Sequence, residues 1–206
     1  MQLLVDWPLD RWLLTFSQQW IEFVGRLSIE RFRPLWSSWG GLPQLAVHQL
    51  GWWACVIWKG LAGPAVMAGF LVVHLYVERK YWKREFTLVL VSAVTGFSLD
   101  SALGMAGLVT YVGDQTLGVV PLWLIAIWAG FGATILYSQA VLFQSRRAAL
   151  LTGLLGGPMA YAGGIKLECM EVAGILGFVG IGLLWAVAML LLQWMGAIYT
   201  RDPNKR

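Results

Sequence analysis

Charge is scarce in this chain. Only 13% of its 206 residues are Asp, Glu, Lys or Arg, 58% are hydrophobic, and the mean hydropathy is +0.66. A soluble domain carries about 25% charged residues, so that class is excluded and a bilayer protein is expected. Histidine and cysteine are scarcer still, at 2 each. That excludes a many-histidine metal box, a Cys-rich zinc site and a disulfide framework, and no metal site is expected. No Gly-rich phosphate loop, Ser-His-Asp set or His-Glu-x-x-His is present, so no reaction is legible. The first twenty residues hold Asp6 and Asp10 and no long apolar run or small-residue cleavage site, so the N-terminus is expected to be retained.

The net charge of +4 does not point to nucleic acid. The basic residues fall in short clusters between apolar runs, as in proteins that face anionic lipid on the cytoplasmic side. A spanning helix needs about 20 apolar residues. Six stretches qualify, at 44–60, 62–78, 86–109, 121–143, 148–166 and 171–198, the first two separated by Lys59-Gly60-Leu61-Ala62-Gly63-Pro64. The expected fold is all-α: a polytopic membrane helix bundle of six transmembrane helices, with residues 1–43 as a cytoplasmic interfacial segment, 44–198 as the membrane domain and 199–206 as a cytoplasmic tail.

Orientation follows from the basic residues. Of the 15 Lys and Arg, only Lys59 and Lys166 fall on one side; all the others share the opposite side, which the positive-inside rule makes cytoplasmic, with both termini inside. Trp36, Trp39, Trp58, Trp82, Trp123 and Trp194 sit near span boundaries and read as interface anchors. Residues 7–33 carry an apolar stripe through Trp12, Phe16, Trp20 and Phe23 among Arg11, Gln18, Glu22 and Arg26. They are expected to form an amphipathic helix in the interface, serving as an anchor or as a docking surface for a membrane-enzyme partner. Small residues at Gly153, Gly157, Ala160 and Gly164 on the fifth span, Gly174, Gly177 and Gly180 on the sixth, and Gly96, Gly104 and Gly107 on the third predict close helix contacts.

One acid stands deep within a span. Asp100 lies fifteen residues after Glu85, about 22 Å along the third helix and so in the outer half of the bilayer. Such a group stays protonated, pairs with a base or faces water. The same depth arithmetic brings Trp128, Tyr161 and Lys166 to its level, with Lys166 the expected partner and Tyr161 a donor. Two readings stay open: an interhelical contact that fixes the bundle, and a cavity opening toward the outer face. Gly156-Gly157-Pro158 reads as a broken or kinked turn whose freed carbonyls need protein or water beside them, a second pointer to such a pocket. Glu168 and Glu171 read as solvated loop charges. Gln49 with Trp52 and Trp53 reads as a polar seam beside His48.

His48 and His74 fall near the inner boundary of neighbouring helices, a spacing that could clamp a b-type haem. Glu78, four residues from His74, makes a surface pair the simpler reading, and no cofactor is expected. Cys55 and Cys169 lie at unlike depths and are expected to be free.

Gln49-Leu50-Gly51-Trp52, Gly96 with Asp100, Pro121-Leu122-Trp123 through Trp128, and Gly156-Gly157-Pro158-Met159-Ala160-Tyr161-Ala162-Gly163 resemble a family of small bacterial six-helix inner-membrane proteins of uncharacterised function, over roughly residues 44–198. The resemblance implies a bacterial inner-membrane location and a setting among genes for fatty-acyl modification. The sequence as a whole points to a lipid or acyl-chain ligand in a polar pocket lined by Gln49, Trp52, Asp100, Trp128, Gly157, Pro158, Tyr161 and Lys166. If chemistry occurs, Asp100 would accept a proton and Tyr161 or Lys166 would polarise the substrate. A small proton- or cation-coupled transporter and a non-catalytic scaffold subunit are the alternatives. Membrane lipids are the expected partners.

Overall fold

The computed structural model describes residues 41–201. The interfacial helix expected over residues 7–33 and most of the 199–206 tail lie outside the described residues.

The chain opens with α1 (Leu42–Trp58) and α2 (Ala62–Val77), which form the hairpin expected from the breakers at 59–64. Lys59 ends α1 by taking a left-handed φ of 53° while its N–H closes on the Cys55 carbonyl. Gly63 then lies so close to the Cys55 backbone that a side chain there would collide with it, which holds the two helices tightly together. A 3₁₀ turn (Arg79–Tyr81) leads into α3 (Trp82–Met105). After α4 (Leu122–Thr134) and a second 3₁₀ turn (Ala140–Phe143), α5 (Arg146–Leu151) continues through a π-helical turn (Thr152–Gly156) into α6 (Gly157–Lys166). The last element is α7 (Gly174–Arg201).

Counting α5, the π turn and α6 as one rod, the described residues form six rods that run alternately up and down. At one end the links carry short strands: β1 (Val109–Tyr111), β2 (Thr116–Leu117), β3 (Val120–Pro121) and β4 (Met170–Val172). β1 pairs antiparallel with β4, Val109 opposite Val172 and Tyr111 opposite Met170, and β2 pairs with β3. Lys59 Nζ adds a 2.9 Å bond to the Glu168 carbonyl. These ladders were not legible in the hydropathy pattern, and they place Glu171 within a strand. The opposite end gathers Arg79, Lys80, Lys83, Arg84, Arg146, Arg147 and Arg201. We call them the ladder end and the basic end.

The segments Arg79–Met105, Arg146–Lys166 and Gly174–Tyr199 are long and apolar enough to cross a membrane; Ala62–Val77 and Leu122–Thr134 are shorter apolar helices. The fourth rod therefore stops well short of residue 143. Its end is a turn, with the Thr134 carbonyl accepting from the Tyr137 and Gln139 amides. Large apolar side chains such as Leu50, Ile57, Val72, Val94, Leu155 and Leu183 are exposed on the outside of the rods. An apolar exterior of this extent suits a membrane and not water.

Of the break or kink expected at Gly156-Gly157-Pro158, the break does not occur: the helix runs on through a π turn. The wide π turn directly precedes Pro158, so the rod carries a proline, which lacks an N–H, immediately after its one irregular turn. Glycine spacing instead serves packing. A side chain at Gly153 would strike the backbone at Ala186, and one at Gly157 the ring of Trp185, both on α7. Gly107 and Gly174 adopt positive φ (68° and 54°), so these two serve the turns and not the helix faces.

Candidate functional site

Asp100 is completely buried near the ladder end of α3. Its Oδ2 accepts the Trp128 indole N–H from α4 at 2.9 Å. Its Oδ1 accepts the Tyr111 hydroxyl from β1 at 2.9 Å, and also the hydroxyl of Tyr161 from α6. Three neutral donors from three different elements thus converge on one carboxyl group. Burial, and then the neighbouring Asp100 carboxylate, push the Tyr111 phenol far above its ordinary value, so it stays a donor.

Trp128 is fixed on three sides. Its N–H is held by Asp100; its ring lies against Gly96, where any side chain would collide with the indole; and its carbonyl accepts the Ser92 hydroxyl at 2.6 Å. Gly96 therefore reads as the space the ring needs.

Beside this cluster lies a cavity of about 60 Å³ between α1, α4, α6 and α7. Trp52 and Val56 line it from α1, Trp123, Ile127, Trp128 and Phe131 from α4, Ala160 and Tyr161 from α6, and Trp185 from α7, with Cys169 and Met170 closing its ladder end. Almost all of this wall is carbon. The volume suits a short stretch of apolar chain or a few waters. Trp128 and Trp185 meet with ring centroids 4.8 Å apart, and Tyr161 stands edge-on to Trp185 at 6.2 Å.

The expected constellation needs three corrections. Asp100 does not line the cavity: Tyr161 and Trp128 do, and their polar atoms turn to the carboxyl group behind them. Lys166 is not its partner, because it is exposed at the end of α6 and the donors to Asp100 are Tyr111, Trp128 and Tyr161. Lateral direction, which depth arithmetic cannot supply, separates them. Gln49 is likewise exposed on α1 while Trp52 reaches the cavity; Gly157 packs on Trp185, and Pro158 lies part-buried beside Gly182.

At the basic end a second buried cluster takes shape around Glu85, also fully buried on α3. Its Oε1 accepts Arg84 Nε at 2.7 Å and the Tyr137 hydroxyl at 2.9 Å, and Oε2 lies 3.1 Å from His74 Nε2. Gln44 Oε1 accepts the Ser138 amide at 3.2 Å, which turns Gln44 Nε2 toward the Ala133 carbonyl at 3.0 Å and His74 Nδ1 at 3.2 Å. His74 Nδ1 is then the acceptor and its Nε2–H donates to Glu85.

This corrects the surface reading of His48 and His74, since both are buried. Both nitrogens of His74 are engaged, and the Phe70 ring packs against both imidazoles, its centroid 5.7 Å from that of His48 and 6.1 Å from that of His74. Neither nitrogen of His48 has a hydrogen-bond partner among the described residues. Cys55 and Cys169 are both free. No group of three or more His, Cys, Asp or Glu gathers as metal ligands among the described residues.

Sequence reasoning missed Gln44 and Glu85, at the edges of the first and third expected spans, Tyr137, inside the expected fourth span, and Tyr111, in the link between the third and fourth. A carboxylate next to an arginine at a span edge, with a histidine at the same level on the preceding helix, was the available signal. Trp185 carried none beyond its place in an apolar run.

No curated protein and no solved structure matches this chain. Residues 42–191, which contain every element of both clusters, match a family described as "Protein of unknown function (DUF2878)", and the chain belongs to that family.

Proposed function

We propose that this protein is an integral membrane protein that crosses the bilayer six times and holds a short stretch of a lipid acyl chain in the cavity between α1, α4, α6 and α7. The single observation that carries this reading is a carbon-walled cavity built on a buried carboxyl group, with Tyr161 and Trp128 serving both. Ala160, exposed at the rim, marks the way in from the lipid side. The basic end faces the cytoplasm by the positive-inside rule, which places the cavity in the outer half of the membrane and both termini inside.

In this reading Asp100 is a positioning residue. Its oxygens are taken up by three donors, so it orients the cavity wall and takes no substrate proton, and we assign no reaction. A proton-coupled carrier is the weaker reading, because Leu88, Val89, Ser92 and Leu99 are buried between Glu85 and Asp100, and Gly132 closes on the Leu88 carbonyl.

Lipid extraction and mass spectrometry of the detergent-purified protein test the proposal. Retained acyl lipid in the wild type that is lost in Ala160→Phe, where a ring fills the rim, is the expected result. Equal lipid in the two proteins would overturn it.

A further inference from the structure

Several polar side-chain atoms in the cavity wall are already spent. Trp123 Nε1 donates to the Val112 carbonyl at 2.9 Å, Trp128 Nε1 to Asp100 at 2.9 Å, Tyr161 to Asp100, and Cys169 Sγ to the Gly164 carbonyl at 3.2 Å. Trp185 Nε1 is buried and has no acceptor among the described residues. An indole N–H left unpaired in an apolar wall loses a hydrogen bond it would make in water, and the tryptophan is held in place by the close approach of Gly157 and the face of Trp128.

We propose that the bound chain carries a neutral carbonyl oxygen and that the Trp185 indole N–H receives it. This inference rests on the chain-binding reading above. The chemistry of the wall selects the class. Among the described residues no Lys or Arg lines the cavity, and Asp100 stands directly behind Tyr161, so an anionic carboxylate would meet an acidic group and no cation. An ammonium group would present a donor to a donor. A plain hydrocarbon would leave the indole unpaired. An ester, amide or keto oxygen satisfies the N–H at no charge cost.

Depth narrows it further. Trp185 lies eleven residues into α7 from Gly174, roughly 16 Å from the ladder end at 1.5 Å per residue. A lipid aligned with the bundle keeps its headgroup well above that level, so the oxygen belongs to the chain itself or to an ester drawn inward.

The test uses the full chain labelled with ¹⁵N-tryptophan in maltoside micelles, which contain no carbonyl. Indole N–H correlation spectra are recorded during titration with methyl laurate, with ionised lauric acid and with dodecane. Trp185→Phe identifies the Trp185 signal. Methyl laurate is expected to move that signal downfield and to bind roughly 5- to 10-fold more tightly than dodecane or laurate, a preference of one hydrogen bond. In Trp185→Phe the preference should fall to about 1-fold with dodecane binding retained. If methyl laurate and dodecane perturb the Trp52 and Trp123 signals equally and Trp185 does not shift downfield, the acceptor inference is overturned and chain binding stands. If no probe moves any cavity indole, chain binding fails and the inference fails with it. The wild-type comparison of probes decides the matter even if the variant does not fold.

Discussion

Helix α3 carries a fully buried acid near each end, and the two are treated in opposite ways. Glu85 meets the guanidinium of Arg84, a histidine and a tyrosine, with Gln44 and Ser138 completing a closed set of bonds. Asp100 meets two phenols and an indole, all neutral, and two of these three also wall a cavity. Charge is compensated at the basic end, with every polar atom of the carboxylate turned to a partner. At the ladder end the same cost of burial is met by neutral donors that form one side of an apolar space. Depth alone does not distinguish a tie from a site. The kind of donor, and what lies behind it, does.

The comparison can be broken at either end, and the largest effect is expected at Glu85. Glu85→Ala removes the buried carboxylate on which Arg84, His74 and Tyr137 converge, so stability should fall by about 3–5 kcal/mol, the range for breaking a buried pair. Thermal unfolding in micelles followed by circular dichroism measures it. Gly96→Ala drives a methyl into the Trp128 ring and should cost about 1–3 kcal/mol as overpacking, with weaker acyl-chain binding because the ring is displaced from the cavity wall. Tyr111→Phe removes one of three donors to Asp100 and should cost about 1 kcal/mol, read from the same melts. Ala160→Phe, at an exposed position, should change stability by less than about 0.5 kcal/mol. Its effect belongs in the lipid analysis.

The bundle was legible because its signals are one-dimensional. Apolar runs, the breakers at 59–64 and the segregation of Lys and Arg all survive in a list of residues, and the hairpin and the alternating rods follow from them. Asp100, Trp128 and Tyr161 were brought to one level by helix rise alone. The error at Lys166 came from the same arithmetic, which gives height and not direction around the axis. The π turn before Pro158 keeps a helix continuous where glycines and a proline suggested a break. The β1–β4 ladder pairs residues 59 to 63 positions apart, a contact that no local pattern announces, and Tyr111, which bonds Asp100, lies in it. Glu85 was hidden by its company: among Lys83 and Arg84 it resembles an ordinary solvated charge.

The most direct measurement compares Asp100→Asn with Glu85→Gln by native mass spectrometry, at a temperature well below the unfolding of both, reading how much acyl lipid each retains. Asp100→Asn presents an amide donor to groups that need acceptors and releases the cavity wall, so its bound lipid should be lost, while Glu85→Gln, though less stable, should keep wild-type occupancy. Full occupancy in Asp100→Asn, or equal loss in both, would contradict the assignment of the ladder end as the binding site.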